Sequence, residues 1–292
     1  MKVVDPHIHL WDLSTGLYPG LEKPSTGFIG SNEPIARSYM LDELLSEGGD
    51  EIEIVKIVNV EAFPTDSVAE TAYLQSLADR TGYPQGIVAG ADLSRPDAEA
   101  MLERQASFAN VRGIRQVLNM HPDPLYAYVA RDYMADPVWM RNFALLGRHG
   151  LSFDLQLYPH QMRQAVDLVR AHPGIAVIVN HAGMFADRTL SGWRQWRDGM
   201  RALASSPDVA VKISGLGMLD TGWSLESIRP YVLETLDAFG CGRVMFASNF
   251  PVDKLFGTYT ATWRAFAAIV SDLSDTEKQA MFSANAERIY RI

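Results

Sequence analysis

Val3-Val4-Asp5-Pro6-His7-Ile8-His9-Leu10-Trp11 is the first apolar run of the chain, and it carries two histidines one residue apart. Side chains alternate across a strand, so a strand over Val3–His9 sends His7 and His9 to one side and Ile8 to the other. Such a pair offers two metal ligands or two proton-transfer groups, and it needs partners from later strands. Seven more strand-like runs follow, at Ile52–Glu61, Gln85–Asp92, Val111–Leu118, Leu151–Leu157, Ala176–His181, Val209–Ser214 and Arg243–Ser248. Between them lie helix-like stretches at Ser67–Thr81, Asp97–Ala109, Pro137–His149, His160–His172, Trp193–Ser205 and Leu225–Phe239. Ser67 and Ser224 read as N-caps, and Gly82, Gly150 and Gly240 as C-terminal stops. No Gly-rich phosphate loop follows the first strand, so the alternation predicts an α/β fold of one domain over residues 1–292, a closed (β/α)8 TIM barrel rather than an open doubly wound sheet.

Composition narrows the function classes. The chain has 292 residues, 47% of them hydrophobic, enough to bury a large core. Its formal charge of -9, with no basic run, argues against a nucleic-acid partner. No apolar stretch approaches the roughly 20 residues of a membrane helix and no cationic leader precedes the first strand, so the expectation is a cytoplasmic protein without a membrane partner. The lone Cys241 makes no internal disulfide, suits a reducing compartment and has no histidine beside it to activate a thiolate. Six tryptophans leave self-association into a homo-oligomer open.

Active sites of closed barrels lie at strand C-termini, and polar residues gather there in this chain. His7 and His9 end the first strand, Glu61 the second and Asp92 the third; Arg115 and Gln116 lie in the fourth and Gln156 in the fifth. Asn180 and His181 end the sixth, Lys212 and Ser214 lie in the seventh, and Ser248 and Asn249 end the eighth. His7, His9 and His181 then converge, and three imidazoles leave a tetrahedral position open for water if a divalent ion such as zinc is bound. Arg115 and Lys212 offer positive charge for a carboxylate or a developing alkoxide, with a buried ion pair to Glu61, Asp92 or Asp154 as the competing reading. Gln156 and Asn180 suit hydroxyls on a sugar-like ring. Two long polar stretches, Asp12–Gly49 and Asn119–Asp136, are placed over the mouth and in the substrate wall.

Seven segments in order resemble one family: the opening histidine run, Arg112-Gly113-Ile114-Arg115, Phe153-Asp154-Leu155-Gln156-Leu157, Val179-Asn180-His181-Ala182-Gly183, Val211-Lys212-Ile213-Ser214-Gly215, Phe246-Ala247-Ser248-Asn249-Phe250-Pro251-Val252 and Asn285-Ala286-Glu287-Arg288-Ile289-Tyr290-Arg291. Together they resemble the amidohydrolase superfamily, and within it the branch of sugar-acid and dicarboxylate lactonases. The resemblance implies a distorted barrel and a hydrolase that opens a lactone by water attack, with His7, His9, His181 and Asn249 as catalytic positions and Arg115, Gln156, Lys212 and Asn180 as substrate-binding ones. It implies a small-molecule substrate, anionic or polyhydroxylated, and either one divalent ion on His7, His9 and His181 or no metal. The chain departs from the family at Asn249, where an aspartate usually stands; an amide has no useful basicity near pH 7. A histidine of the pair, Glu61, Asp253 or a metal-bound hydroxide would replace that base, and a histidine or the hydroxide is the better match to neutral pH. His160 reads as a structural or substrate-contact residue rather than a further ligand. An amide hydrolase, a lactone isomerase, a metal-dependent decarboxylase or a binding protein that has lost its base are the alternatives on the same barrel.

Overall fold

A computed structural model describes residues 1–292. Eight parallel strands form one sheet in sequence order: β1 (Lys2–Ile8), β2 (Glu53–Val60), β3 (Gly86–Gly90), β4 (Val111–Val117), β5 (Ser152–Gln156), β6 (Val177–Val179), β7 (Val209–Ile213) and β8 (Val244–Phe246). Helices between successive strands cover the outer face, as parallel ladders require. The circle nearly closes beyond the end of β8, where Ile8 bridges Phe250 and the Asn249 amide donates to the His7 carbonyl at 2.8 Å. All eight strand-like runs are strands; the first is shifted one residue toward the N-terminus, and the other seven are one to three residues shorter than the sequence reading.

Two apolar clusters follow from the pleat. Residues such as Phe153, Leu155, Val177, Val179, Val211 and Ile213 point outward into the main core beneath the helices. A smaller cluster of Val4, Val58, Val60, Val88, Ile178, Ala210 and Met245 fills the interior with Ala286 and Tyr290 from the terminal helix Asn285–Tyr290. Register shifts in β1 lie between Val3 and Val4 and between Asp5 and Ile8. They change the phase of the strand, so Val4 joins the interior cluster while Ile8 faces outward and leaves His7 and His9 to the mouth.

The helices lie where the sequence places them, with shifted ends: Trp193–Ser205 begins earlier, as Leu190–Ala204, and Asp97–Ala109 shortens to Ala98–Ala106. Asp66 rather than Ser67 caps Ser67–Thr81, its carboxylate accepting from the amides of Val68 and Ala69, because Asp66 is extended while Ser67 is already helical. Pro137–His149 divides into Pro137–Phe143 and Leu145–Arg148. Ser224 caps Leu225–Phe239 as predicted. No helix is long and apolar enough to cross a membrane.

The stretch 12–49 folds over the C-terminal mouth. It is pinned by the paired backbone bonds of Trp11 and Tyr39 (3.1 and 2.9 Å), by Trp11 Nε1 donating to the Arg37 carbonyl at 2.6 Å, and by Lys254 bridging Glu43 and Glu47. The stretch 119–136 forms the adjacent wall, where the Tyr158 hydroxyl donates to the Tyr126 carbonyl at 2.8 Å.

Candidate active site

The mouth holds a cavity of ≈ 230 Å³ whose polar end is formed by His9, Arg115, Gln156, His181 and Asn249. His7 lies directly beneath, its ring centroid 5.1 Å from that of His9 and 4.6 Å from that of His181. The expected convergence of the three imidazoles is therefore a geometric fact. Each is held differently. His9 Nδ1 lies 2.8 Å from the Val60 carbonyl, which can only accept, so Nδ1 carries the proton and Nε2 the lone pair. His181 Nδ1 meets Ser214 Oγ at 3.0 Å, whereas neither ring nitrogen of His7 has a protein partner.

The backbone around these residues is unusual. His181, Ala182 and Asn249 all sit at positive φ, near +50 to +60°. Asparagine tolerates that region better than most residues, and at Asn249 it turns the side chain back toward the histidines. Its amide lies 3.6 Å from Met218 Sδ. Gly215 at φ +64 is required for a second reason: a Cβ there would stand 2.5 Å from His181 Nδ1.

Electrostatics keep the rings neutral. Burial, then the positive charges of Lys212 and Arg115, push His7 and His181 well below the ordinary histidine value, and burial followed by Arg115 pushes His9 down to about 3. Burial also raises Asp253, which lies beside Asn249, to about 7 and Asp5 to about 6.

Arg115 and Lys212 are both committed to ion pairs. Arg115 Nε binds Glu61 Oε1 at 2.7 Å, and its terminal nitrogens reach the Glu61 carbonyl at 2.5 Å and Gln156 Oε1 at 3.2 Å. Arg115 still lines the cavity. Lys212 does not: it is fully buried, paired with Asp154, and donates to the Pro6 carbonyl at 3.2 Å, while Tyr290 also donates to Asp154. Lys212 therefore acts on the site through its field, not by touching a ligand. Asn180 is likewise fully buried outside the cavity wall, with neither amide atom partnered. Gln116 faces away and receives Trp139 Nε1 at 2.8 Å. His160 packs against His121 and Tyr158 rather than on the three imidazoles.

The donor set does not fit a divalent cation. No group of three His, Cys, Asp or Glu side chains is arranged to hold a metal ion. The three imidazoles bring no carboxylate with them and Asn249 adds only a neutral amide, so an ion here would lack an anionic ligand to offset its charge.

Trp11, Tyr18, Leu21, Ile29, Ile35, Phe63, Met218 and Val252 complete the wall, and none was singled out as a site residue from the sequence. Apolar residues in loops carry no periodic signal, and only the folding back of stretch 12–49 brings Tyr18, Leu21, Ile29 and Ile35 to the mouth. Tyr128, within the predicted substrate wall, does line the cavity.

A family model described as amidohydrolase matches residues 4–292. The uncharacterized protein y4mH of Sinorhizobium fredii is 44% identical, covering 100% of this chain and 99% of its own length. An L-fucono-1,5-lactonase of Burkholderia ambifaria is 29% identical, covering 99% of this chain and 95% of that protein. Among solved structures, an amidohydrolase from Burkholderia multivorans, crystallised with bound Hepes and in another crystal form with bound zinc, superposes with a TM-score of 0.84 at 26% identity over the whole of both chains.

Proposed function

The chain belongs to the amidohydrolase family, and from that membership we propose that it is a hydrolase that opens a lactone by adding water at the barrel mouth. The observation that carries this reading is the pairing of the neutral imidazoles of His9 and His181, which each have Nδ1 held by the framework, with hydrogen-bond donors around one small cavity. Its chemical requirement is modest, since a lactone is an activated ester.

In this reading Ser214 Oγ accepts the Nδ1 proton of His181, and the water oxygen attacks the carbonyl carbon while the basic His181 Nε2 takes the water proton. The carbonyl oxygen gains negative charge and is met by the Asn249 amide and the guanidinium of Arg115. The bond from the carbonyl carbon to the ring oxygen then breaks, and the proton held on His181 passes to that oxygen, so the product is the open hydroxy acid. Burial disfavours imidazolium in the resting site, but here it forms beside a new oxyanion and no net charge is created. His9 holds its Nε2 lone pair toward the same space and orients the water. No step runs through a metal.

Turnover of a panel of 1,4- and 1,5-lactones, followed by the acid released, tests the proposal. The wild type is expected to hydrolyse at least one, and His181→Asn to lose about 100-fold or more in kcat/KM with its circular dichroism and Tm preserved. A wild type inactive on every lactone, or a fully active His181→Asn, overturns it. Lactone binding without turnover would instead favour a binding protein on this barrel.

A further inference from the structure

We infer that the substrate is an uncharged lactone bearing an apolar substituent, aryl or branched alkyl, that packs against the outer wall of the cavity. This rests on the lactone reading above and goes beyond it by excluding polyhydroxylated and carboxylated rings as the preferred class.

Charge accounting comes first. Arg115 is the one permanently charged side chain lining the cavity; the Glu61 carboxylate neutralises it and the Glu61 carbonyl accepts a further hydrogen bond from it. Lys212 is locked on Asp154 and does not reach the wall. A substrate carboxylate would thus enter a site with no uncompensated cation, beside imidazoles that are themselves neutral. Desolvating it there is costly.

Hydrogen-bonding capacity is equally short. A polyhydroxylated ring needs a partner for each hydroxyl it buries. Asn32 on the outer wall is partly committed: its oxygen accepts from the Ser25 amide at 2.6 Å and its nitrogen donates to the Gly20 carbonyl at 3.3 Å. Beyond the reacting end the surface is mainly Trp11, Leu21, Ile29, Ile35, Phe63 and Val252, and besides Asn32 only the hydroxyls of Tyr18 and Tyr128 add hydrogen-bonding groups to it.

Phe63 adds an independent observation. It is 59% exposed and holds φ +54, a conformation an aromatic residue rarely takes, fixed by its amide donating to Glu61 Oε2 at 2.7 Å. Its ring runs nearly parallel to Tyr128, at 18° and 6.3 Å, and lies 5.4 Å from the Arg115 guanidinium. Strain that presents a large apolar ring to solvent at a cavity rim is accounted for if a ligand covers that ring.

The test compares kcat/KM of the wild type on four δ-lactones: unsubstituted δ-valerolactone, its 5-phenyl derivative, a polyhydroxylated 1,5-aldonolactone and a carboxylated δ-lactone. The phenyl derivative is expected to exceed each of the others by about 10-fold or more, and Phe63→Ser to bring the phenyl-to-unsubstituted ratio close to one. An equal or higher value for the hydroxylated or carboxylated lactone overturns this inference while leaving lactone hydrolysis standing. Calorimetry with the corresponding lactams, which are not expected to turn over, supplies the same comparison if no lactone is hydrolysed. Tighter binding of the phenyl lactam than of its unsubstituted parent supports the apolar wall, and equal binding overturns it.

Discussion

His9 shows how one hydrogen bond assigns a role: the Val60 carbonyl fixes the proton on Nδ1 and leaves Nε2 as the basic atom of that ring. His181 has the same layout when Ser214 Oγ accepts its Nδ1 proton, and because burial and the nearby cations hold it well below the ordinary histidine value, its neutral form persists into acid. The pH–rate profile for kcat is accordingly expected to stay flat as pH falls through 6.5, the ordinary histidine value, with its acid limb below that; a limb centred at 6.5 would contradict the buried, neutral ring. Asn249 is given a different task, donating to the carbonyl oxygen. Asn249→Ala is expected to lower kcat about 100-fold with little change in KM, since the donor acts on charge that develops only during reaction. Steady-state kinetics on a turned-over lactone decides it, and an unchanged kcat would remove Asn249 from the mechanism.

At the scale of elements, the turn after β7 is the tightest constraint on the site. Ser214 and Gly215 together hold His181, one by a hydrogen bond and the other by lacking a side chain. Gly215→Ala would place a methyl group 2.5 Å from His181 Nδ1 and 2.7 Å from Met218 Cε at a φ of +64. We expect it to displace the imidazole, cutting kcat/KM at least 10-fold, and to destabilise the fold by about 1–3 kcal/mol, read by chemical denaturation. Retention of full activity would show that the His181 position is more tolerant than its packing implies. The phase change in β1 matters similarly, because it allows one strand to supply the interior cluster with Val4 and the mouth with two histidines.

For the whole molecule, Asp5 helps close the barrel. Its carboxylate accepts from the Ser248 amide at 3.0 Å and from the Tyr259 hydroxyl at 3.0 Å, joining β1 to the segment after β8 and to the helix Tyr259–Ile269. Burial raises it from 3.8 to about 6, so the folded state holds a proton that the unfolded chain releases between those values. Its contribution is therefore fully present below pH 4 and is lost as pH rises through 6, a change of about 3 kcal/mol. Relative to Asp5→Asn, the wild type is expected to lose thermal stability between pH 4 and 7. Other buried titrating groups are shared by the two proteins and largely cancel in the difference. Calorimetric scans at pH 4, 5, 6 and 7 measure it, and a difference in Tm that is independent of pH would contradict the buried charge.

By itself the sequence determined the eight parallel strands, the two stretches over the mouth and the convergence of His7, His9 and His181, because strand pleat and strand-end position are local properties that survive into the fold. It left open whether Arg115 and Lys212 face a ligand or an ion partner, and composition has no means of choosing. Tertiary structure decided that by distance, giving Lys212 to Asp154 and Arg115 to Glu61. The same holds for the apolar wall at Trp11, Ile35 and Phe63, whose members are far apart along the chain and meet only where the stretch 12–49 and the β2 end close over the barrel. Charge balance and shape at the mouth are sums over residues remote in sequence, and folding is the step that performs the sum.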